Sequence, residues 1–190
     1  MIRLMYEAYS GLKAVIRAAA FRDDWERHLN LSASGFLRSF SAALFVLPVF
    51  WFILQGTTRL FTELSPGFEN SYTGSDFTID LLRIWLVFPV LTALLTRIAG
   101  VKHRFVHWVI LHNWTVLFLF LLQGLIFLFY LAGLSDASMT YGLLTSGYLI
   151  FRFFLHARIA VTALHLPAGI GIVMGLIPVI VDFAIIELTR

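Results

Sequence analysis

The stretch from 105 to 131 reads FVHWVILHNWTVLFLFLLQGLIFLFYL and contains no Asp, Glu, Lys or Arg. An apolar run of about 20 residues is long enough to cross a bilayer as a helix. Hydrophobic residues make up 59% of the 190-residue chain and charged residues 13%, whereas soluble domains have about 45–50% and about 25%. This composition excludes a disordered chain, and one membrane anchor alone would not produce it. The sequence therefore predicts several membrane spans.

Four other apolar segments flank this run. The five predicted spans cover about 36–54, 81–98, 105–131, 139–160 and 166–186. Short turns separate the last four, which makes neighbouring spans antiparallel, whereas a long connection occupies 55–80. We predict an all-α fold, a polytopic membrane bundle of five transmembrane helices in residues 31–190, after an interfacial or cytoplasmic amphipathic segment in residues 1–30. Pro48, Pro89 and Pro178 lie within spans and should kink them.

The N-terminal segment shows helical periodicity. Its apolar stripe consists of Met5, Tyr9, Leu12, Ile16 and Ala20, which recur at the spacing of one helix face. Such a helix can lie in the headgroup layer of a membrane. It can equally pack on the ends of the spans, and the sequence leaves both arrangements open.

The basic residues are distributed unevenly between the two ends of the predicted bundle. With the N-terminus inside, the inner end holds Arg3, Lys13, Arg17, Arg22, Arg27, Arg38, Arg97, Lys102, Arg104, Arg152 and Arg158. The outer end holds Arg59, Arg83 and Arg190, which makes the split eleven to three. Cytoplasmic loops carry the excess of Lys and Arg in membrane proteins. We therefore predict a cytoplasmic N-terminus and a periplasmic C-terminus.

Several kinds of chemistry are excluded by the residues themselves. The chain has no cysteine, which rules out disulfides, thiolate metal sites, iron–sulfur clusters and thiol nucleophiles. We find no Walker loop, nucleophile elbow, HExxH or spaced pair of carboxylates. The sequence predicts a protein that is not an enzyme and has no cofactor or metal site. Its expected partners are the lipid bilayer and other membrane proteins, with no nucleic acid and with a small-molecule substrate left unknown.

A candidate polar cluster lies in the inner half of the third and fourth spans. Arg152 and His156 are four residues apart and share a helix face, while His112 and Asn113 enter the third span at similar depth. Arginine within a membrane is costly and should face protein or water. We predict a cluster of His112, Asn113, Arg152 and His156. The alternative is that Arg152 extends to the inner phosphates.

Two further features concern contacts between spans. Asp182 and Arg83 lie at matching depth near the outer ends of their spans, and we predict an ion pair between them; the alternative is a lone Asp182 in outer water. Counted from the outer ends at 1.5 Å per residue, Arg152 lies roughly 15 Å deeper than Asp182 and should not reach it. Gly171 and Gly175 form a GxxxG pattern, which is typical of close helix packing.

A resemblance covers most of the chain. It rests on LSASGFLRSF at 31–40, on YLIFRFFLHAR at 148–158, and on the five-span architecture. The chain resembles small five-span inner-membrane proteins of alphaproteobacteria and, more distantly, the Yip (Ypt/Rab-interacting) membrane protein family. The resemblance implies a multi-pass protein of the bacterial inner membrane and transfers no functional residue.

Three functions follow as hypotheses. The first is a scaffold, assembly factor or accessory subunit of an inner-membrane complex. The second is a small transporter or channel, although the third and fourth spans contain no acidic residue and no internal repeat is present. The third is a haem b electron carrier, for which His112 and His156 are the candidate ligands.

Overall fold

The computed structural model describes residues 2–69 and 71–189, and within these ranges all regular secondary structure is helical. The α-helices are α1 (Ile2–Ala19), α2 (Ala33–Ser39), α3 (Ala42–Leu64), α4 (Gly74–Leu82), α5 (Phe88–Ile98), α6 (Phe105–Leu131), α7 (Ala137–Gly142), α8 (Leu149–Leu164) and α9 (Ala168–Thr189). Short 3₁₀-helices occupy Asp23–His28 and Lys102–Arg104, and π-helical turns occupy Arg83–Val87 and Leu143–Tyr148. Arg190, which we counted on the outer side, lies outside the described residues.

These helices combine into five segments that are long and apolar enough to cross a membrane. The first to fifth spans are Ala33–Leu64, Gly74–Ile98, Lys102–Leu131, Ala137–Leu164 and Ala168–Leu188. The chain is thus an all-α, multi-pass membrane protein, as the sequence predicted. Helix α6 is central, because it packs against α1, α2, α3, α5 and α8 and is buried continuously from Trp108 to Leu117.

The predicted end of the first span was wrong. Helix α3 continues through the polar residues after Leu54 and ends at Leu64, so that much of the predicted long connection is helical. The hydroxyl of Thr58 donates to the carbonyl of Leu54 (3.0 Å), and that of Thr62 donates to the carbonyl of Thr58 (2.9 Å). Because these side chains hydrogen-bond to the preceding turn, their polarity does not end the helix.

The three prolines within spans act differently. Pro48 and Pro178 lie inside the continuous helices α3 and α9. Pro89 lies in the first turn of α5, directly after the π-helical turn Arg83–Val87. Proline has no N–H, and its ring collides with the carbonyl four residues earlier. A wider π turn ahead of Pro89 relieves this conflict without ending the span.

Helix α1 packs on the bundle through its small residues. Ala8, Gly11, Ala14, Val15 and Ala18 are buried, and a Cβ added to Gly11 would overlap the ring of Trp114 on α6. The predicted apolar stripe lies on a different face. This packing is the second of the two arrangements that the sequence left open.

The predicted stripe is mostly exposed. Met5, Tyr9 and Ile16 have relative exposures of 59%, 64% and 54%. These side chains are therefore free to contact lipid or another protein while α1 remains packed on α6 and α8. We refer below to the end of the bundle that carries α1 as the α1 end.

Arg104 of the third span links the N-terminal segment to the fourth span at the α1 end. The Arg104 guanidinium donates to Glu26 in the 3₁₀-helix (2.6 Å) and to the carbonyl of Ala163 in α8 (2.7 Å), and it also contacts the His165 ring (2.8 Å). Three parts of the chain thereby meet at one side chain.

Helices α8 and α9 approach each other closely at the predicted GxxxG. A Cβ added to Gly175 would lie 2.5 Å from the carbonyl oxygen of His156 and 2.8 Å from the Cα of Ala157. One added to Gly171 would lie 2.6 Å from a methyl group of Val161. The two glycines therefore mark the contact surface between the fourth and fifth spans. This contact positions Asp182, which lies two turns further along α9.

Candidate functional site

A cavity of about 880 Å³ lies between the five spans. At the end opposite α1, its wall includes Phe68, Ser71 and Tyr72 from the connection between the first two spans. Nearer the middle of the bundle, its wall includes His112 and His156. The cavity therefore runs from the end opposite α1 towards the middle of the bundle. Each of the five spans contributes residues to its wall.

Four charged side chains form a hydrogen-bonded row along the cavity wall. Asp182 of the fifth span accepts hydrogen bonds from Arg83 of the second span and from Arg152 of the fourth (2.7 Å to Arg152 Nη2). Arg83 also donates to Asp80 (3.0 Å), whose other oxygen accepts from the Tyr72 hydroxyl (2.8 Å). Each oxygen of Asp182 thus has an arginine partner. The side chains of Arg83, Asp182 and Arg152 are only 10%, 16% and 24% exposed.

The predicted pair of Arg83 and Asp182 is present in the structure. The prediction that Arg152 cannot reach Asp182 was wrong. It counted depth from the outer ends, but the fourth span extends beyond the fifth there. Counted from the turn that joins α8 to α9, Arg152 lies about 18 Å and Asp182 about 21 Å along its helix. An arginine side chain bridges such a difference readily.

Two histidines form the floor of the cavity. The rings of His112 and His156 are in edge-to-face contact, with 5.4 Å between centroids. The His112 ring also stacks on the ring of Phe88, with 3.2 Å between their centroids. Nδ1 of His156 lies 2.8 Å from the carbonyl of Arg152. Since a carbonyl only accepts, this contact places the proton of a neutral ring on Nδ1 and leaves Nε2 as an acceptor.

These histidines do not fit the haem site of the third hypothesis. Two imidazoles bound to one haem iron must have the iron and the porphyrin plane between them, whereas the two rings contact each other directly. Phe88 covers one face of His112. Within the part of the chain that the structure describes, no group of three or more His, Cys, Asp or Glu side chains is placed to hold a metal ion.

The predicted polar cluster is only partly assembled. Arg152, His156 and His112 line the same cavity, but the guanidinium of Arg152 pairs with Asp182 instead of a histidine. Asn113 was placed in the cluster wrongly. It is buried on another face of α6 and donates to the hydroxyl of Ser39 on α2 (2.8 Å).

Sequence reasoning missed Asp80 and Tyr72 as members of the site. One signal was available, since Asp80 and Arg83 are three residues apart and share a helix face. The predicted second span began at 81, so Asp80 was assigned to the loop. The helix actually begins at Gly74, where Thr73 and Asp76 form a capping box. The threonine side chain accepts from the backbone N–H of Asp76, and the aspartate accepts from the backbone N–H of Thr73.

No family model, curated protein or solved structure matches this chain. Its function must therefore be argued from the cavity and from the charged side chains in its wall.

Proposed function

We propose that this multi-pass membrane protein binds a small polar solute in the cavity and moves it across the membrane, as a small transporter. The observation that carries the proposal is the hydrogen-bonded row of Asp80, Arg83, Asp182 and Arg152 along the cavity wall. Charged residues within spans are costly, face a cavity or each other, and mark substrate or ion pathways in membrane proteins. Four such costly side chains in one wall are therefore expected where a polar pathway runs along that wall.

The helix geometry around the cavity supports the same proposal. Transporters commonly build their sites from interrupted helices near the middle of the bilayer. Here Arg83 begins one π-helical turn, Tyr148 ends the other, and both line the cavity. Pro178, which interrupts hydrogen bonding in α9, also lines it. Each of the three spans that hold the ion pairs thus has a π-helical turn or a proline that lines the cavity.

The proposal requires that water fills the cavity, and this is open to a direct test. The absence of native cysteine makes single-cysteine labelling unambiguous. Gln123→Cys places a thiol in the cavity wall, whereas Leu125→Cys places one on the exposed apolar surface of the same helix. We expect a charged, membrane-impermeant thiol reagent to modify the first variant in membranes and to spare the second. Equal, slow modification of both variants would contradict a hydrated cavity.

A scaffold, assembly-factor or accessory-subunit role is the second candidate. It is favoured by the exposed apolar side chains Met5, Tyr9 and Ile16 on α1, which offer a surface to another membrane protein. Affinity purification in mild detergent would test this role. A membrane protein that co-purifies with the wild type and is lost when these three residues are changed to serine would favour it over transport.

We further propose a location and an orientation. The eleven-to-three distribution of basic residues supports an orientation with the α1 end in the cytoplasm. The resemblance to small five-span proteins of alphaproteobacteria supports the bacterial inner membrane. The cavity would then open towards the periplasm. The absence of catalytic motifs in the sequence supports transport without an accompanying enzymatic reaction.

A further inference from the structure

A second, smaller pocket lies at the α1 end, away from the transport cavity. Its volume is about 380 Å³. Arg3 from α1, Arg27 from the first 3₁₀-helix and Arg38 from α2 line it, and Ile110 and Trp114 of α6 contribute apolar surface. Three separate elements thus each bring one arginine to the same small space.

The pocket has a surplus of positive charge. Glu7 is the single acidic side chain among the described residues that line it, so three arginines face one carboxylate and the formal surplus is two. Glu7 lies 2.7 Å from the Nε of Arg38 and 3.7 Å from the Nε of Arg3. Among the residues that the structure describes, Arg27 has no such acidic partner, and Arg27 is exposed. Like charges that converge without enough counter-charge repel one another, so an anion in the pocket would be stabilised.

The chemistry of the lining favours a phosphate group. A guanidinium presents planar N–H donors that match phosphate oxygens, and such contacts are among the stronger hydrogen bonds in proteins. Basic pockets between membrane helices at the cytoplasmic side are sites for anionic lipid headgroups. Tyr6 of α1 also lines the pocket and is 69% exposed, so an acyl chain can contact its ring while the phosphate contacts the arginines.

We propose that this pocket binds the phosphate group of an anionic phospholipid, with Arg3, Arg27 and Arg38 as its donors. The lipid would contact both α1 and the first and third spans and would hold the N-terminal helix against the membrane surface. This proposal is independent of solute transport, because none of its residues lines the larger cavity.

Native mass spectrometry of the full chain in mild detergent tests the proposal. The probes are phosphatidylglycerol, which is anionic, and phosphatidylcholine, which is zwitterionic. We expect the wild type to retain phosphatidylglycerol in preference, and Arg27→Gln to lower its retention about tenfold. Arg22→Gln is the matched control, since Arg22 is an exposed arginine outside the pocket and the change in net charge is the same. Arg22→Gln should retain the lipid as the wild type does.

Inorganic phosphate distinguishes a lipid from a free anion as the source of the phosphate group. If millimolar inorganic phosphate leaves the bound phosphatidylglycerol in place, a lipid is the ligand. If inorganic phosphate displaces the phosphatidylglycerol, and Arg27→Gln weakens the binding of both, the pocket binds a phosphate group but its ligand is a free anion and not a lipid. Equal retention of phosphatidylglycerol by Arg27→Gln and Arg22→Gln overturns the site. Arg27→Lys, which keeps the charge, should retain part of the preference.

Discussion

Asp182 joins three spans through its two oxygens. It accepts from Arg83 of the second span and Arg152 of the fourth, while itself belonging to the fifth. A buried ion pair contributes little net stability, because desolvation offsets the attraction between the charges. Removing one partner is a different matter, because it leaves the other charge buried and uncompensated. The consequences of a substitution here should therefore depend on how many charges it strands.

Asp182→Asn and Arg152→Leu should both destabilise the bundle, by different amounts. Arg152→Leu leaves Asp182 its bond to Arg83 and should cost about 1–2 kcal/mol. Asp182→Asn leaves Arg152 without a carboxylate and should cost more, up to about 3 kcal/mol. Thermal unfolding in detergent and in nanodiscs would measure both.

Glu187→Gln is the matched control for these variants, since Glu187 is exposed on the same helix and should be neutral when its charge is removed. Arg152→Leu at least as stable as the wild type would show that Arg152 extends to the membrane surface instead of holding Asp182.

Part of the hydrogen-bonded row could be predicted from sequence, and the reason for the rest is geometric. Arg83 and Asp182 lie near the same ends of their spans, so matching their depth identified the pair. Arg152 was excluded because its depth was measured from an end at which the spans have unequal lengths. Depth measured from a short connecting turn is more reliable, because the turn fixes both helices at one level.

At the scale of helices, the contact between α8 and α9 holds Asp182 beside Arg152. Gly175→Ala should destabilise it, because the new methyl group would meet backbone atoms of α8 at 2.5–2.8 Å and force the helices apart. We expect a loss of about 1–3 kcal/mol, measured by thermal unfolding.

Gly169→Ala, on the same helix, has nothing within 4 Å of the added carbon. It should be neutral or stabilising by up to about 1 kcal/mol, since alanine favours the helix. Equal effects of the two substitutions would mean that helix propensity, and not the close approach, controls stability.

The limits of the helices were the least predictable elements. Polar residues after Leu54 read as a loop, yet hydroxyls that bond to their own helix keep it intact to Leu64. The π-helical turn at Arg83–Val87 also has only an indirect signal, the proline that follows it. Apolar length predicted that each span exists, whereas local hydrogen bonding decides where a span begins, ends or widens.

At the scale of the whole molecule, we propose that the five spans put the N-terminus and the C-terminus on opposite sides of the membrane. Reporter fusions test this: a fusion after Gly100, between the second and third spans, should read cytoplasmic, and one after Arg190 should read periplasmic. The uneven distribution of basic residues is the physical reason, because positive loops are retained in the cytoplasm. Fusions that read on the same side would remove one span or reverse the proposed orientation.

The central claim, that the cavity is a transport pathway, is tested most directly at its depth. Val116 lies in the cavity wall on the central helix and is 7% exposed, and Val116→Cys changes the side chain little. A transporter must open to each side in turn, so we predict that an impermeant thiol reagent modifies Val116→Cys in intact cells and also in inverted vesicles. Modification from one side alone, or from neither, would contradict the account.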